Sequence, residues 1–153
     1  MNCLYYIFNA VSFFSTPYFL LILIFFFLVV GKYTMTKKMI LASMLSWMIS
    51  YGIKFITKIP RPEGMVMYVP FTSIMDYSFP SSHTMVSFAI AVVVANSLEL
   101  TGKKKMAAEI FIYSAALLVG LSRIYFGYHR IIDVMVGGIL GIFVGMLLGP
   151  ARI

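Results

Sequence analysis

Charge is scarce in this chain. Only 11% of its 153 residues are Asp, Glu, Lys or Arg, and five are acidic, whereas a soluble globular domain carries about 25% charged residues. That shortage excludes an ordinary cytosolic globule, and the high apolar content excludes a disordered chain. Cysteine is nearly absent as well: Cys3 stands alone, which rules out an internal disulfide and a multi-cysteine metal site. Carboxylates do not cluster in any loop, so the chain lacks the usual ligands for Mg²⁺ chemistry. No Lys or Arg precedes Lys32, so the apolar N-terminal stretch lacks the basic leader of a cleavable signal and reads as retained.

Apolar surface is what the chain has in abundance: 61% of residues are hydrophobic and the mean hydropathy is +0.97. A bilayer core of about 30 Å takes roughly 20 apolar residues per helix, so this length holds about four to six spans and no sizeable soluble domain. The fold class is therefore an all-α, polytopic membrane helix bundle. About five transmembrane helices are expected, over 18–30, 39–57, 81–100, 106–121 and 131–148. Ahead of them, Asn2, Asn9, Ser12 and Thr16 recur on one side of a helix whose other side is Leu4, Ile7, Phe8, Val11 and Phe14. That pattern predicts an amphipathic segment over 1–16 lying in the membrane interface, with a membrane-embedded domain over 17–153. Thr16 would cap the next helix and Pro17 would occupy its first position.

The net charge of +7 raises nucleic acid as a partner, but the basic residues fall between apolar runs and form no face once the helices lie in lipid. They set orientation instead. Lys32, Lys37 and Lys38 fall in one connection, Lys103, Lys104 and Lys105 in another, and Arg152 near the C-terminus. With five spans these share one side, which the basic bias makes cytoplasmic. The Pro-rich connection from Lys58 to Ser82 and the connection from Ser122 to Arg130 then both face outward, at a cell membrane. Gly137, Gly141, Gly145 and Gly149 recur every fourth residue, a stripe suited to close backbone approach, either within the chain or against a second copy. Ser46, Ser50 and Lys54 form a polar stripe that should face other helices rather than lipid.

Three stretches on the outer side carry the unusual residues. Lys54 and Arg61-Pro62 lie across the end of the second span; Pro80-Ser81-Ser82-His83 opens the third; Ser122-Arg123, His129 and Asp133 bracket the start of the fifth. Singly, each residue has a plainer reading: Lys54 as a snorkelling lysine, Arg61 as a loop charge, His83 as a helix-start residue, His129 with Asp133 as a structural pair. Together they describe an anion site with an acid/base pair. Lys54, Arg61 and Arg123 supply positive charge, the guanidinium forks in bidentate form. The helix start at Ser81, Ser82 and His83 offers unpaired N–H groups to a phosphate. Asp133, one turn after His129 if the helix has begun there, can take the Nδ1 proton and leave Nε2 as nucleophile or base. His83 remains as general acid.

In order, these pieces resemble the K-x6-RP, PSGH and SR-x5-H-x3-D motifs of the type 2 phosphatidic acid phosphatase family, whose members include lipid phosphate phosphatases, prenyl diphosphate phosphatases and vanadium haloperoxidases. The resemblance runs from Lys54 to Asp133, with Ser82 where the family usually has Gly, a side chain expected to narrow the pocket. It implies a metal-independent, cofactor-free phosphatase acting on a lipid phosphate or diphosphate in the bilayer. Prenyl diphosphate (undecaprenyl diphosphate among them), phosphatidate and phosphatidylglycerophosphate are the candidate substrates. His129 would become a phosphohistidine, oriented by Asp133; His83 would protonate the leaving group; Lys54, Arg61, Ser81, Ser82 and Arg123 would hold the phosphoryl oxygens. Met65–Phe71 would line the path of the lipid tail. A non-catalytic membrane scaffold or channel component, or a haloperoxidase-like use of the same residues, is the alternative.

Overall fold

The computed structural model describes residues 3–13, 17–62 and 77–149. They form six helices: α1 (Cys3–Phe13), α2 (Pro17–Val29), α3 (Tyr33–Thr57), α4 (Ser82–Ser97), α5 (Gly102–Tyr125) and α6 (Ile131–Leu147). α3 and α5 are each long and apolar enough to cross a membrane. α1 and α2 meet that test together, their axes bent by 54°, and α4 and α6 are apolar helices of 16 and 17 residues. Phe25, Phe26, Phe55, Phe111, Ile139 and Phe143 stand exposed on the outside. On a water-soluble protein such a surface would be a liability; in a bilayer it meets hydrocarbon. The chain is an all-α membrane helix bundle.

Hydrophobic burial cannot drive helices together within lipid, so packing depends on close approach. α6 achieves it against α4. A Cβ on Gly137 would lie 2.7 Å from the Ser81 carbonyl oxygen, one on Gly141 would run into the Met85 carbonyl, and one on Gly145 would meet Val92 Cβ at 2.5 Å. The glycine stripe is thus occupied within the chain as far as Gly145, whereas Gly149 meets nothing and ends the helix at φ +61°. Around this seam Met39, Met85, Ala89, Val93 and Val144 form the core. The polar stripe of α3 turns inward as expected: Ser46, Ser50 and Lys54 are buried.

Two helices begin earlier than the sequence expectation. α3 begins at Tyr33 rather than near residue 39, and α5 at Gly102 rather than 106, so Lys37, Lys38 and Lys103–Lys105 stand within the opening turns of these helices rather than in connections. Long lysine stems let a helix start in the apolar zone while the ammonium reaches out. Lys38 uses its reach to cap the other end of α6, donating to the carbonyls of Leu148 (2.7 Å) and Gly149 (3.2 Å). Lys32 pairs with Glu99 at 3.1 Å, tying the start of α3 to the end of α4. α6 begins at Ile131, as expected, and His129 therefore precedes the helix that carries Asp133. The segment Met65–Phe71, and Asn2, Phe14, Thr16 and Arg152, lie outside the described residues.

The ends of α3 and α5 and the starts of α4 and α6 gather at one end of the bundle. The two ends of the Pro-rich connection are joined there. Pro60 and Tyr77 form an antiparallel bridge, and the N–H of Ser78 donates to the Ile59 carbonyl at 2.8 Å.

Candidate active site

Each cation arrives from a different element. Lys54 sits in the last turn of α3, 4% exposed, and donates to the Tyr77 carbonyl at 2.7 Å. An apolar stretch would leave that position facing lipid; the i, i+4, i+8 stripe with Ser46 and Ser50 turns it inward. Arg61 follows the end of α3 and donates from Nη1 to the Tyr128 carbonyl at 2.8 Å. This clamps the Pro-rich connection onto the one that carries His129. Arg123 lies in the last turn of α5, 8% exposed. Its Nε donates to Ser122 Oγ at 3.3 Å, and its guanidinium lies 5.5 Å from the centre of the Tyr128 ring, a cation–π geometry.

His129 occupies the short connection after α5, held by its own N–H donating to the Arg123 carbonyl at 3.3 Å. Its Nδ1 lies 3.7 Å from Asp133 Oδ2, with both side chains buried. That is an orienting approach rather than a formed hydrogen bond, and such contacts often tighten only when substrate is bound. Asp133 is the third residue of α6, where its Oδ2 accepts the Arg130 N–H at 2.9 Å. The carboxylate therefore caps the helix and faces the imidazole at once. Burial pushes the His129 imidazole below its ordinary range; Asp133 pulls the other way, while Arg61 and Lys54 add to the lowering. Its Nε2 lies on the side of the ring away from Asp133.

Ser81, Ser82 and His83 open α4, as their motif predicts, but they divide the labour. The Ser81 N–H donates to the Asp133 carbonyl at 2.9 Å and its Oγ accepts from Thr84 at 2.9 Å, so Ser81 joins α4 to α6. The N–H groups of Ser82, His83 and Thr84 are left without intrahelical acceptors, as in any first turn. The Ser82 hydroxyl shares a hydrogen bond with that of Ser50 on α3. Ser82 is not among the residues that line the cavity described below. The His83 ring stands 6.4 Å from that of Trp47, edge-on, and Trp47 in turn stacks on Tyr51 at 5.3 Å.

A cavity of about 340 Å³ opens at this end, lined by Arg61, His83, Arg123 and His129 together with Asn9, Ser12, Phe13, Phe126 and Tyr128. Four residues singled out from sequence thus share its wall. Lys54, Ser81, Ser82 and Asp133 stand behind it. Sequence reading passed over Tyr128, Trp47 and the contribution of α1. Tyr128 adjoins His129, and Trp47 lies seven residues before Lys54 on the same helical face, a signal that was available. Among the described residues, no three His, Cys, Asp or Glu side chains gather closely enough to hold a metal ion.

Comparison with known proteins identifies a family and a fold. Residues 35–150 match the model of the PAP2 superfamily. Phosphatidylglycerophosphatase B of Bacillus subtilis (strain 168) is 33% identical over 91 residues, covering 57% of this chain and 43% of the relative. Undecaprenyl-diphosphatase BcrC of the same organism is 31% identical over 100 residues, covering 65% and 48%. The match thus spans about half the length of these curated relatives, or less. Among solved structures, Aquifex aeolicus LpxE superposes with a TM-score of 0.78 at 28% identity, covering 97% of this chain and 87% of that one. A transmembrane PAP2-type phosphatidylglycerolphosphate phosphatase from Bacillus subtilis gives 0.79 at 25% identity, covering 97% and 76%.

Proposed function

The chain belongs to the PAP2 superfamily, and from that premise we propose that it is a membrane phosphatase that removes the terminal phosphate of a lipid phosphate or diphosphate through a phosphohistidine. The observation that carries the reading is the meeting of Arg61, Arg123, His83 and His129 around one cavity, with Asp133 behind His129. Two guanidinium groups and the first-turn N–H groups of α4 hold the phosphoryl oxygens, and Lys54 adds positive charge from behind. The lone pair on His129 Nε2 attacks phosphorus; the N–P bond forms as the P–O bond to the lipid breaks. His83 gives a proton to the departing oxygen. Water then attacks the phosphohistidine, its proton returns to His83, and phosphate leaves. Asp133 keeps the imidazole oriented and offsets the positive charge that grows on it.

The same reading places the protein in the cell membrane, with the site on the outer face. Its support is the positive-inside bias: Lys32, Lys37, Lys38 and Lys103–Lys105 all lie at the helix ends opposite the cavity. Prenyl diphosphates, phosphatidate and phosphatidylglycerophosphate are the substrates to try, in line with the activities named for the relatives. The test is phosphate release by purified protein, with ³²P-labelled substrate. Acid-labile, base-stable labelling that disappears in His129→Ala is expected, together with loss of turnover. Labelling that persists in His129→Ala reassigns the nucleophile. A complete absence of phosphate release favours a scaffold, and vanadate-dependent halide oxidation the haloperoxidase reading.

A further inference from the structure

α1 is amphipathic in sequence, and two polar side chains of its one side, exposed Asn9 and half-buried Ser12, stand at the cavity. Tyr5, Asn9 and Ser12 follow the i, i+4, i+7 rhythm of one helical face, with Phe8 at its border with the apolar side. Two aromatic contacts bind α1 to the end of α5: Phe8 stacks on Tyr125 with ring centres 4.5 Å apart, and Tyr5 meets Phe126 edge-on at 5.9 Å. Asn9 and Ser12, with Phe13, line the same cavity as the cations. The aromatic contacts set the position of α1, and that position brings an amide and a hydroxyl to a wall of the phosphate site.

The chemistry of that wall differs from the rest. Arg61 and Arg123 meet a phosphoryl group with charge, whereas α1 (CLYYIFNAVSF) carries no charged side chain at all. The other nearby cations are engaged elsewhere. Lys58 lies over the Phe55 ring at 5.8 Å, and Arg130 donates to the Pro60 carbonyl at 3.2 Å. A second phosphate against Asn9 and Ser12 would therefore find no positive partner on α1. A neutral hydroxyl group would find a donor and an acceptor in each side chain. Phe13 and Phe126 then offer apolar surface to whatever follows.

We propose that α1 reads the leaving group: Asn9 and Ser12 hydrogen-bond a free hydroxyl close to the phosphate-bearing oxygen, selecting lipids with a polyol or sugar phosphate head over those with a bare chain or a second phosphate. This rests on the phosphatase reading of the same cavity, and makes Asn9 and Ser12 specificity-determining residues that hold no phosphoryl oxygen.

The experiment separates the two ideas by measuring binding without turnover. The His129→Ala protein, in lipid nanodiscs, is titrated with short-chain phosphatidylglycerophosphate and with the same lipid lacking the middle hydroxyl of its headgroup. The signal is the fluorescence of Trp47, the chain's one tryptophan, which lies beside His83. The hydroxylated lipid should bind about 3- to 10-fold tighter, as one neutral hydrogen bond is worth. Adding Asn9→Leu or Ser12→Ala should shrink that ratio toward one by lowering affinity for the hydroxylated lipid alone. Equal affinity for the two lipids before substitution overturns the inference, as does a ratio that survives both substitutions. So does an equal loss for both lipids in Asn9→Leu and in the milder Asn9→Ser, since it would make α1 a packing element. Failure of the phosphatase reading shows separately, as an unsubstituted protein that keeps the binding preference and releases no phosphate.

Discussion

Gly137→Ala tests whether the seam between α4 and α6 sets the catalytic geometry. A Cβ on Gly137 would lie 2.7 Å from the Ser81 carbonyl oxygen, short by about 0.7 Å of the 3.4 Å at which ordinary contact begins, and the obstacle is backbone rather than a flexible side chain. The two helices must therefore part at their N-terminal ends, where the Ser81 N–H donates to the Asp133 carbonyl at 2.9 Å. Asp133 orients His129 from α6, and His83 rides on α4, so the parting moves the proposed acid away from the nucleophile. A misplacement near 1 Å can cost about 10²-fold in rate, and overpacking of this kind costs about 1–3 kcal/mol of stability. Gly137→Ala should thus lose about 30- to 100-fold in kcat on a lipid phosphate while still folding. Gly138→Ala is the control, because its Cβ would meet the Phe88 ring at 3.5 Å, an ordinary contact; its barrier should change by less than about 0.5 kcal/mol, roughly twofold. Phosphate release in detergent micelles, beside thermal unfolding of each variant, reads both. A parental rate in Gly137→Ala, or an equal loss in Gly138→Ala, would refute the reasoning.

Three further outcomes are expected. His83→Ala should slow lipid monophosphates by about 10²–10⁴-fold, as loss of a general acid does, and diphosphates distinctly less. An alkoxide needs a proton as water's anion does, with a pKa of about 15.7, whereas a departing phosphate has a second pKa of about 6; equal slowing would make His83 a phosphate-binding group instead. Turnover should survive EDTA, because Lys54, Arg61 and Arg123 supply the positive charge, and loss that Mg²⁺ restores would overturn the mechanism. Since burial holds His129 below its ordinary range, the nucleophile stays neutral as pH falls through the usual histidine pKa of about 6.5. The acid limb of kcat/KM should lie below that value, and an acid limb at or above it would contradict the assignment.

How much of this was legible in the chain can be read from particular elements. Five of the six helices follow from apolar runs and their breaks, because lipid requires nearly every backbone polar group to be satisfied within a helix. Their ends shifted where lysine stems let Tyr33 and Gly102 open helices inside runs that seemed to begin later. The site motifs were legible because charge inside an apolar chain is conspicuous. Arg61, His83, Arg123 and His129 do share a cavity, while Lys54, Ser81, Ser82 and Asp133 take up places behind it.

Periodicity names a face but not what it faces, and the decisions left to tertiary structure are all of that kind. The glycine stripe of α6 allowed a partner within the chain or a second copy; the carbonyls of Ser81, Met85 and Ala89 take it up within the chain. Ser82 in place of a glycine reads as an obstruction in sequence, yet its hydroxyl shares a hydrogen bond with that of Ser50, thirty-two residues earlier. The polar side of α1 was legible as a stripe suited to the membrane interface, yet the stacking of Phe8 on Tyr125 turns Asn9 and Ser12 toward the cavity. Composition and spacing alone determined that the chain lives in a bilayer, where its helices run, and which residues bring charged and titratable side chains. The meeting of those residues depended on contacts between segments distant in sequence, and short-range pattern carries no information about such contacts.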